Sequence, residues 1–421
     1  MPITARCAGY GERAFASYAF RRTPYMPLAL KGRIDYNATM RGLYVHIPFC
    51  KTRCHYCNFV TTAEHSSDLR DRFFKALSSE IKYIRERSGR LSFDTLYLGG
   101  GTPSCLTVRE IEILISEVRT AFEFKSGYEF TCEFNPGDGD ETKLKALRGL
   151  GVNRISLGCQ SFQDAILQRL GRRHTVRDIE ETVSKMRQAG ITNISFDLML
   201  CLPGQTVEDF RDSVRKCIEL KASQVSLYDL EVHTGTLFGN LEKEGKLDLP
   251  QEEEHAKMYE SAIEMLTRAG YEHYEISNFS KTGLASRHNL IYWHNQEYRG
   301  LGPGAFTYLG GTRSQFASDL DRYLEKCGAG EWKNDIEDKL SEEERETETL
   351  ATGLRLREGV APLEFRKIYP ALQERFKTLC ADGLMEISGE RVRLTPRGKF
   401  LSEDIFAFLL QKDMPFQVTP L

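Results

Sequence analysis

The sequence predicts an α/β protein, an incomplete (β/α)6 TIM-like barrel followed by a small winged-helix-like α+β domain. Three observations lead there. From residue 43 onward, short β-rich runs alternate with amphipathic segments of helical length, the pattern of a parallel sheet with crossover helices. At 421 residues the chain exceeds what one hydrophobic core usually serves, so two domains are expected. Beyond residue 341 the alternation gives way to helix, helix and two short strands around Gly389.

The expected strands, in order, are Leu43 to Ile47, Thr95 to Leu98, Glu129 to Glu133, Arg154 to Leu157, Ile194 to Leu200 and Gln224 to Tyr228. Helices fall between them near Asp68 to Glu86, Thr107 to Phe122, Glu141 to Leu150, Val176 to Ala189 and Val207 to Leu220. Six such units suggest an incomplete barrel. A doubly wound open sheet is the alternative, because periodicity cannot count closure. After residue 230 a long helix is expected from about Pro250 to Ala269, then a strand from Tyr271 to Ile276. An acidic stretch, Asp335 to Glu348, contains Ser341-x-x-Glu344, a capping box that starts a helix. Leu384-Met-Glu-Ile and Val392-Arg-Leu-Thr-Pro then flank a tight turn. The expected division is a leader over 1–39, a barrel over 40–300, a connecting segment over 301–340 and a C-terminal domain over 341–421.

Composition narrows the function. A formal charge of −3 argues against a surface built to hold polyanions. The small C-terminal domain resembles DNA-binding modules, yet Glu364, Glu374, Glu386 and Glu390 dilute its basic residues, so packing is the expected role and nucleic acid is not an expected partner. Eleven cysteines, an odd number without disulfide-scaffold density, fit a reducing compartment such as the cytoplasm. No uncharged apolar run reaches the length of a transmembrane helix. The leader carries Arg6, Arg13, Arg21, Arg22, Lys31 and Arg33 against Glu12 and Asp35. It is mildly like a mitochondrial transit peptide, but serine is sparse for one, and Met40 immediately precedes the folded pattern.

The chemistry begins with Tyr44-Val-His-Ile-Pro-Phe-Cys50-Lys-Thr-Arg-Cys54-His-Tyr-Cys57. A cubane iron–sulfur cluster ordinarily takes four cysteines. The spacing C-x3-C-x2-C can hold one through three thiolates and leave one iron open to a small molecule. A zinc site completed by His46 or His55 is the competing reading, but no second C-x2-C pair follows. The other eight cysteines are scattered and lie mostly in apolar runs, where Cys behaves as a small buried hydrophobe.

In a parallel barrel the reactive groups sit beyond the carboxyl ends of the strands. The second strand delivers Gly99-Gly100-Gly101-Thr102-Pro103, whose glycines let backbone approach a ligand closely. The third ends in Glu133-Phe-Asn-Pro, the fourth in Gly158-Cys-Gln160-Ser, and the fifth contains Asp197 and runs out at Leu202-Pro-Gly. Carboxylate, amide and carboxylate at successive strand ends could hold an amino group and a ribose by directional hydrogen bonds. Taken singly each is an ordinary solvated acid or loop cap, and Arg172 alone reads as a surface charge.

These motifs, in this order, resemble the radical S-adenosylmethionine (SAM) superfamily and, within it, the HemN/HemW group. The resemblance runs from about Gly42 to Leu410. It implies that Cys50, Cys54 and Cys57 hold a [4Fe–4S] cluster whose fourth iron is chelated by the amino and carboxylate groups of SAM. It also implies that Tyr44, Tyr56, Gly100, Gly101, Thr102, Glu133, Gln160, Arg172 and Asp197 contact SAM.

The group contains an oxygen-independent coproporphyrinogen III dehydrogenase, which decarboxylates propionates, and a haem chaperone. The dehydrogenase adds a fourth cysteine two residues after the third, where this chain has Phe59. His288-Asn-Leu-Ile-Tyr292-Trp293 matches a motif linked in the chaperone to haem binding. Imidazole can ligate haem iron, and Tyr and Trp offer flat apolar faces. His294, His233 or a cysteine are alternative axial ligands. The resemblance therefore implies a haem chaperone rather than the dehydrogenase. Its partners would be haem, acceptor apo-haemoproteins such as membrane-associated respiratory enzymes, and an electron donor.

Overall fold

A computed structural model of the chain describes residues 39–410, so the basic leader lies almost wholly outside the described residues. The described chain opens with strand β1 (Gly42–Ile47), helix α1 (Ser67–Ser88), β2 (Ser92–Gly100), α2 (Val108–Ala121), β3 (Glu123–Phe134), α3 (Glu141–Gly149) and β4 (Arg154–Gln160). It continues through α4 (Asp164–Arg169), α5 (Val176–Gln188), β5 (Ile194–Leu200), α6 (Val207–Glu219) and β6 (Gln224–Asp229). The helices begin where local chemistry dictates. Thr107/Glu110, Thr175/Asp178 and Thr206/Asp209 form reciprocal capping boxes at the starts of α2, α5 and α6, satisfying backbone amides that a first turn would otherwise leave unpaired.

β1 to β6 pair in sequence order and all in parallel. Period two sorts their side chains. Leu43, Val45, Leu96, Leu98, Phe130, Cys132, Ile155, Leu157, Phe196 and Leu198 join one buried core with the helices. The alternate residues Tyr44, Tyr97, Glu133, Ser156 and Asp197 are drawn together on the other face, as the contacts Tyr97–Glu133, Ser156–Asp197 and Tyr44–Tyr97 demonstrate. These six strands form the middle of a larger sheet that ends at two edges without closing, as an incomplete barrel requires.

Its flanks come from α7 (Leu237–Lys243), α8 (Glu252–Arg268), β7 (Glu272–Glu275), β8 (Asn278–Ser280), α9 (Arg287–Trp293) and β9 (Tyr298–Leu301). The strand expected over Tyr271 to Ile276 is β7, which pairs antiparallel to β8. β9 lies parallel to β1. Residues 301–340, expected as a connection, instead carry structure of their own: β10 (Phe306–Leu309), β11 (Thr312–Gln315), α10 (Leu320–Ala329) and β12 (Ile336–Lys339). These three strands extend the same sheet by antiparallel pairing. Each of these strands is only four residues long, too short for a period of two to show in the sequence, which explains the difference.

The C-terminal unit comprises α11 (Glu342–Gly353), α12 (Tyr369–Ala381), β13 (Met385–Ser388), β14 (Arg391–Leu394), α13 (Pro396–Phe400) and α14 (Ser402–Leu410). Ser341 and Glu344 form the capping box expected for α11. Leu350, Leu354, Phe376, Leu379, Leu384, Val392 and Ile405 build a second, separate core. The unit leans on the barrel flank through Lys399, whose Nζ lies 3.3 Å from His273 Nδ1, and through a bridge between Glu275 and Leu356.

Candidate functional site

The three cysteines occupy the loop leaving β1. Pro48 O accepts from Thr62 N at 2.7 Å and Thr62 O accepts from Cys50 N at 2.9 Å, closing the loop on itself. His55 N donates to Leu170 O at 3.0 Å, and His55 Nδ1 lies 2.8 Å from Arg169 O, which fastens the loop to the segment after α4. With a ring nitrogen on that backbone oxygen, His55 is committed to holding the loop. His46 is likewise committed, 2.7 Å from Val60 O and 3.1 Å from the Tyr44 hydroxyl. Both candidate nitrogen ligands of the zinc reading therefore have structural partners.

Hydrogen-bond donors already face two of the thiols. Thr102 Oγ1 donates to Cys50 Sγ at 3.4 Å, and Arg172 Nη1 to Cys54 Sγ at 3.4 Å. Burial pushes the Cys50 thiol up to about 12 and raises Cys57 as well. The loss of their protons is thus coupled to arrival of a cation. A donor set of three thiols, a hydroxyl and a guanidinium fits an anionic cluster: the protons and the positive charge face the sulfurs.

Arg172 is the hinge of the arrangement rather than a surface charge. Its Nη2 donates to Asn135 Oδ1 at 2.6 Å and to Gly158 O at 2.8 Å, and Asn135 Nδ2 donates to Thr102 Oγ1 at 3.0 Å. One chain of contacts consequently ties the ends of β2, β3 and β4 to Cys50 and Cys54. Asn135 was not singled out from sequence, although it stands two residues after Glu133, the spacing that returns a side chain to the same side of an extended segment.

Glu133 is held on both oxygens, by the Tyr97 hydroxyl at 2.9 Å and by Gly100 N at 3.0 Å. Burial is the main reason its carboxyl is pushed up to about 7, against the lowering effect of the Tyr97 hydrogen bond. Asp197 accepts from Ser156 Oγ at 3.0 Å on each oxygen, and burial lifts it to about 6. Tyr97 and Ser156 also escaped the sequence reading. Both lie on the inner face by period two, one position of alternation from residues that were identified.

Gly100 has φ +107, and a Cβ there would stand 2.5 Å from the His46 ring. A Cβ on Gly101 would meet the carbonyl oxygens of Ile47 and Phe49 at 2.8 Å. The glycine run is thus required for the β2 loop to fit beneath the cysteine loop. Gln160, after a register shift in β4, has φ +64, an unusual backbone for a residue with a side chain. Tyr56 packs with Phe238 at 6.5 Å between ring centroids. Phe59, in the position of the dehydrogenase's fourth cysteine, is 54% exposed.

The His288, Tyr292 and Trp293 segment is elsewhere. It forms α9, which covers the amino ends of the strands: Glu129 accepts from His288 N, Arg287 N and Ser286 Oγ at 3.1, 3.0 and 3.4 Å. His288 is 1% exposed, with Nδ1 2.7 Å from Thr95 Oγ1 and Nε2 2.9 Å from the Tyr292 hydroxyl. Burial, aided by the nearby Arg154 charge, lowers it to about 3, so it is a neutral imidazole. In this conformation both ring nitrogens already have hydroxyl partners. Trp293 carries the Arg355 guanidinium 4.4 Å above its ring. His294 Nε2 lies 4.0 Å from Glu358, and His233 lies 3.2 Å from Glu231. The cysteine loop and α9, which packs against Gly42, are therefore at opposite ends of β1, about 17 Å apart along the strand. His288 stacks on Tyr97 at 4.9 Å, and Tyr97 reaches Glu133.

Comparison with known proteins gives a consistent result. Residues 44–217 match the radical SAM superfamily and residues 340–401 the HemN C-terminal domain. The chain is 36% identical over 377 residues to a protein of Bacillus subtilis named heme chaperone HemW, covering 88% of this chain and 99% of that protein. It is 31% identical over 390 residues to the mitochondrial radical S-adenosyl methionine domain-containing protein 1 of Bos taurus, covering 88% and 87% respectively. Among solved structures, the coproporphyrinogen III oxidase HemN of Escherichia coli superposes with a TM-score of 0.76, at 22% identity and covering 88% of this chain and 90% of that one. At that identity the likeness speaks for the fold.

Proposed function

Because the chain belongs to the HemN/HemW group of the radical SAM superfamily, we propose that it is a haem chaperone, which binds haem and delivers it to apo-haemoproteins. The observation carrying this reading is the near-complete coverage at 36% identity of a relative named for that role. In this reading Cys50, Cys54 and Cys57 hold the [4Fe–4S] cluster, while Tyr44, Tyr56, Gly100, Gly101, Thr102, Glu133, Gln160, Arg172 and Asp197 form the SAM pocket. When bound, cluster and SAM supply one-electron chemistry that side chains alone cannot.

The chain's own residues have distinct tasks. Arg172 orients Asn135 and Thr102 and sets positive charge against Cys54. Glu133, fixed by Tyr97 and Gly100 N, presents an acceptor for the SAM amino group. Asp197, fixed by Ser156, presents one for hydroxyls. In α9, Tyr292 and Trp293 supply flat faces for the macrocycle. His288 positions Tyr292, and reaches an iron only if its bonds to Thr95 and Tyr292 open.

Acceptor haemoproteins and an electron donor complete the expected partners. Among the described residues no helix is long and apolar enough to cross a membrane. We place the protein in the cytoplasm; residues 1–39 acting as a cleaved leader would place it in the mitochondrial matrix, which the mass of the mature chain distinguishes.

The test is a haem titration of the purified full chain, cluster reconstituted, without oxygen. Saturable uptake followed by transfer to an apo-haemoprotein supports the reading, and no uptake by the wild type refutes it. Anaerobic oxidation of coproporphyrinogen with SAM and reductant would favour the dehydrogenase instead.

A further inference from the structure

We propose that Cys201, Asp229 and His255 form a site for a divalent transition-metal ion of the zinc class at the rim of the barrel, distinct from the cluster cysteines. Cys201 directly follows β5, Asp229 is the last residue of β6, and His255 lies in the first turns of α8. Leu200 and Asp229 are register partners, so the two strands deliver neighbouring positions. One sulfur, one carboxylate oxygen and one imidazole nitrogen of the three all lie within 4.8 Å of one another. His255 Nε2 and Asp229 Oδ1 are already 2.8 Å apart.

The donor set decides the class of ligand. Sulfur, nitrogen and oxygen together suit borderline ions such as Zn2+, Co2+ or Fe2+, whereas Ca2+ and Mg2+ take oxygen. Three convergent donors fill three corners of a tetrahedron and leave the fourth open to water or substrate. Haem iron is a poor fit, since its macrocycle fills four positions and leaves one on each face for a single axial donor. Cys201 has φ +59, a backbone in which glycine is the ordinary residue, so the thiol stands at this corner against the local preference. The Phe400 ring packs edge-on to His255 at 5.1 Å. An ion here would tie the ends of β5 and β6 to α8 and steady the helix face on which the C-terminal unit rests.

The experiment uses the full chain with its cluster in place, so that Cys50, Cys54 and Cys57 are occupied. After incubation with Zn2+ and dialysis, the expected result is one zinc per chain, and with Co2+ a thiolate-to-cobalt absorption band. Cys201→Gly is the informative variant, because it suits the left-handed backbone and should fold at least as well. It should lose the cobalt band, and His255→Ala should lose stoichiometric zinc, with the cluster spectrum unchanged in both. No zinc retained by the wild type overturns the proposal, as does equal retention by both variants. Loss of haem uptake in both variants without any effect on zinc would also overturn it, by assigning the triad to haem.

Discussion

Glu133 gives the sharpest consequence of the geometry. Its carboxyl is pushed up to about 7 by burial, and in the proposed reading its ionised form, the stronger acceptor, receives the amino group of SAM. Only the ionised fraction is competent, so apparent affinity scales with that fraction. For a group titrating near 7 that fraction is about a tenth at pH 6 and about nine-tenths at pH 8, an apparent Kd ratio of about ten. The α-amino group of SAM itself titrates at about 7.7–8.0, so the diagnostic quantity is the difference between wild type and Glu133→Gln. Equilibrium binding of SAM to the cluster-loaded protein between pH 6 and 8 should be steeper for the wild type by about that ten-fold factor, with the variant retaining the ligand's own slope alone. Identical slopes refute the assignment. The same raised value has a stability counterpart with the opposite sense. Without SAM, the folded state holds this proton more tightly than the unfolded chain does, so its contribution is full below about pH 4.5 and is lost as pH rises towards about 7.

Other outcomes follow from single contacts. Cys54→Ser should abolish the cluster's visible absorption while leaving haem uptake, because the cysteine loop and α9 lie at opposite ends of β1; loss of both in folded protein would show that the sites are coupled. His288→Ala removes the partner of two hydroxyls, Thr95 Oγ1 and Tyr292 OH, and should lower stability by about 2–4 kcal/mol, read as a shift of the denaturation midpoint. A change under about 0.5 kcal/mol would contradict the core role given to it. Gly100→Ala sets a Cβ into the His46 ring at a φ of +107. It should displace the loop and suppress SAM binding even if circular dichroism is unchanged; wild-type affinity would show that the close approach is dispensable.

Much of this was legible in sequence because it rests on local rules. The alternation in Leu43 to Ile47 or Ile194 to Leu200 names both a strand and its inner face, and Thr107 with Glu110 fixes a helix start within four residues. The cysteine spacing and the strand-end rule together nominate Glu133, Gln160 and Asp197. The unread portion depends on distance in the chain. Asn135 matters only because Arg172 reaches it, and that meeting is decided by where α4 returns. His288 carried a motif, but whether its nitrogens are free depends on Thr95 in β2 and on Glu129 fixing the start of α9. The strands β10 to β12 are only four residues each, too short for a period of two to declare itself, and β11 and β12 are largely polar as well. Cys201, Asp229 and His255 are far apart in sequence and gather only through the pairing of β5 with β6.

The proposed role requires this chain to carry haem. Anaerobic haem titration of the purified, cluster-loaded wild type, followed by mixing with an apo-haemoprotein, tests it most directly. Saturable uptake near one haem per chain is expected, with the acceptor's own haem spectrum appearing as the donor's declines. Absence of uptake, or uptake that no acceptor can draw off, would contradict the proposed role.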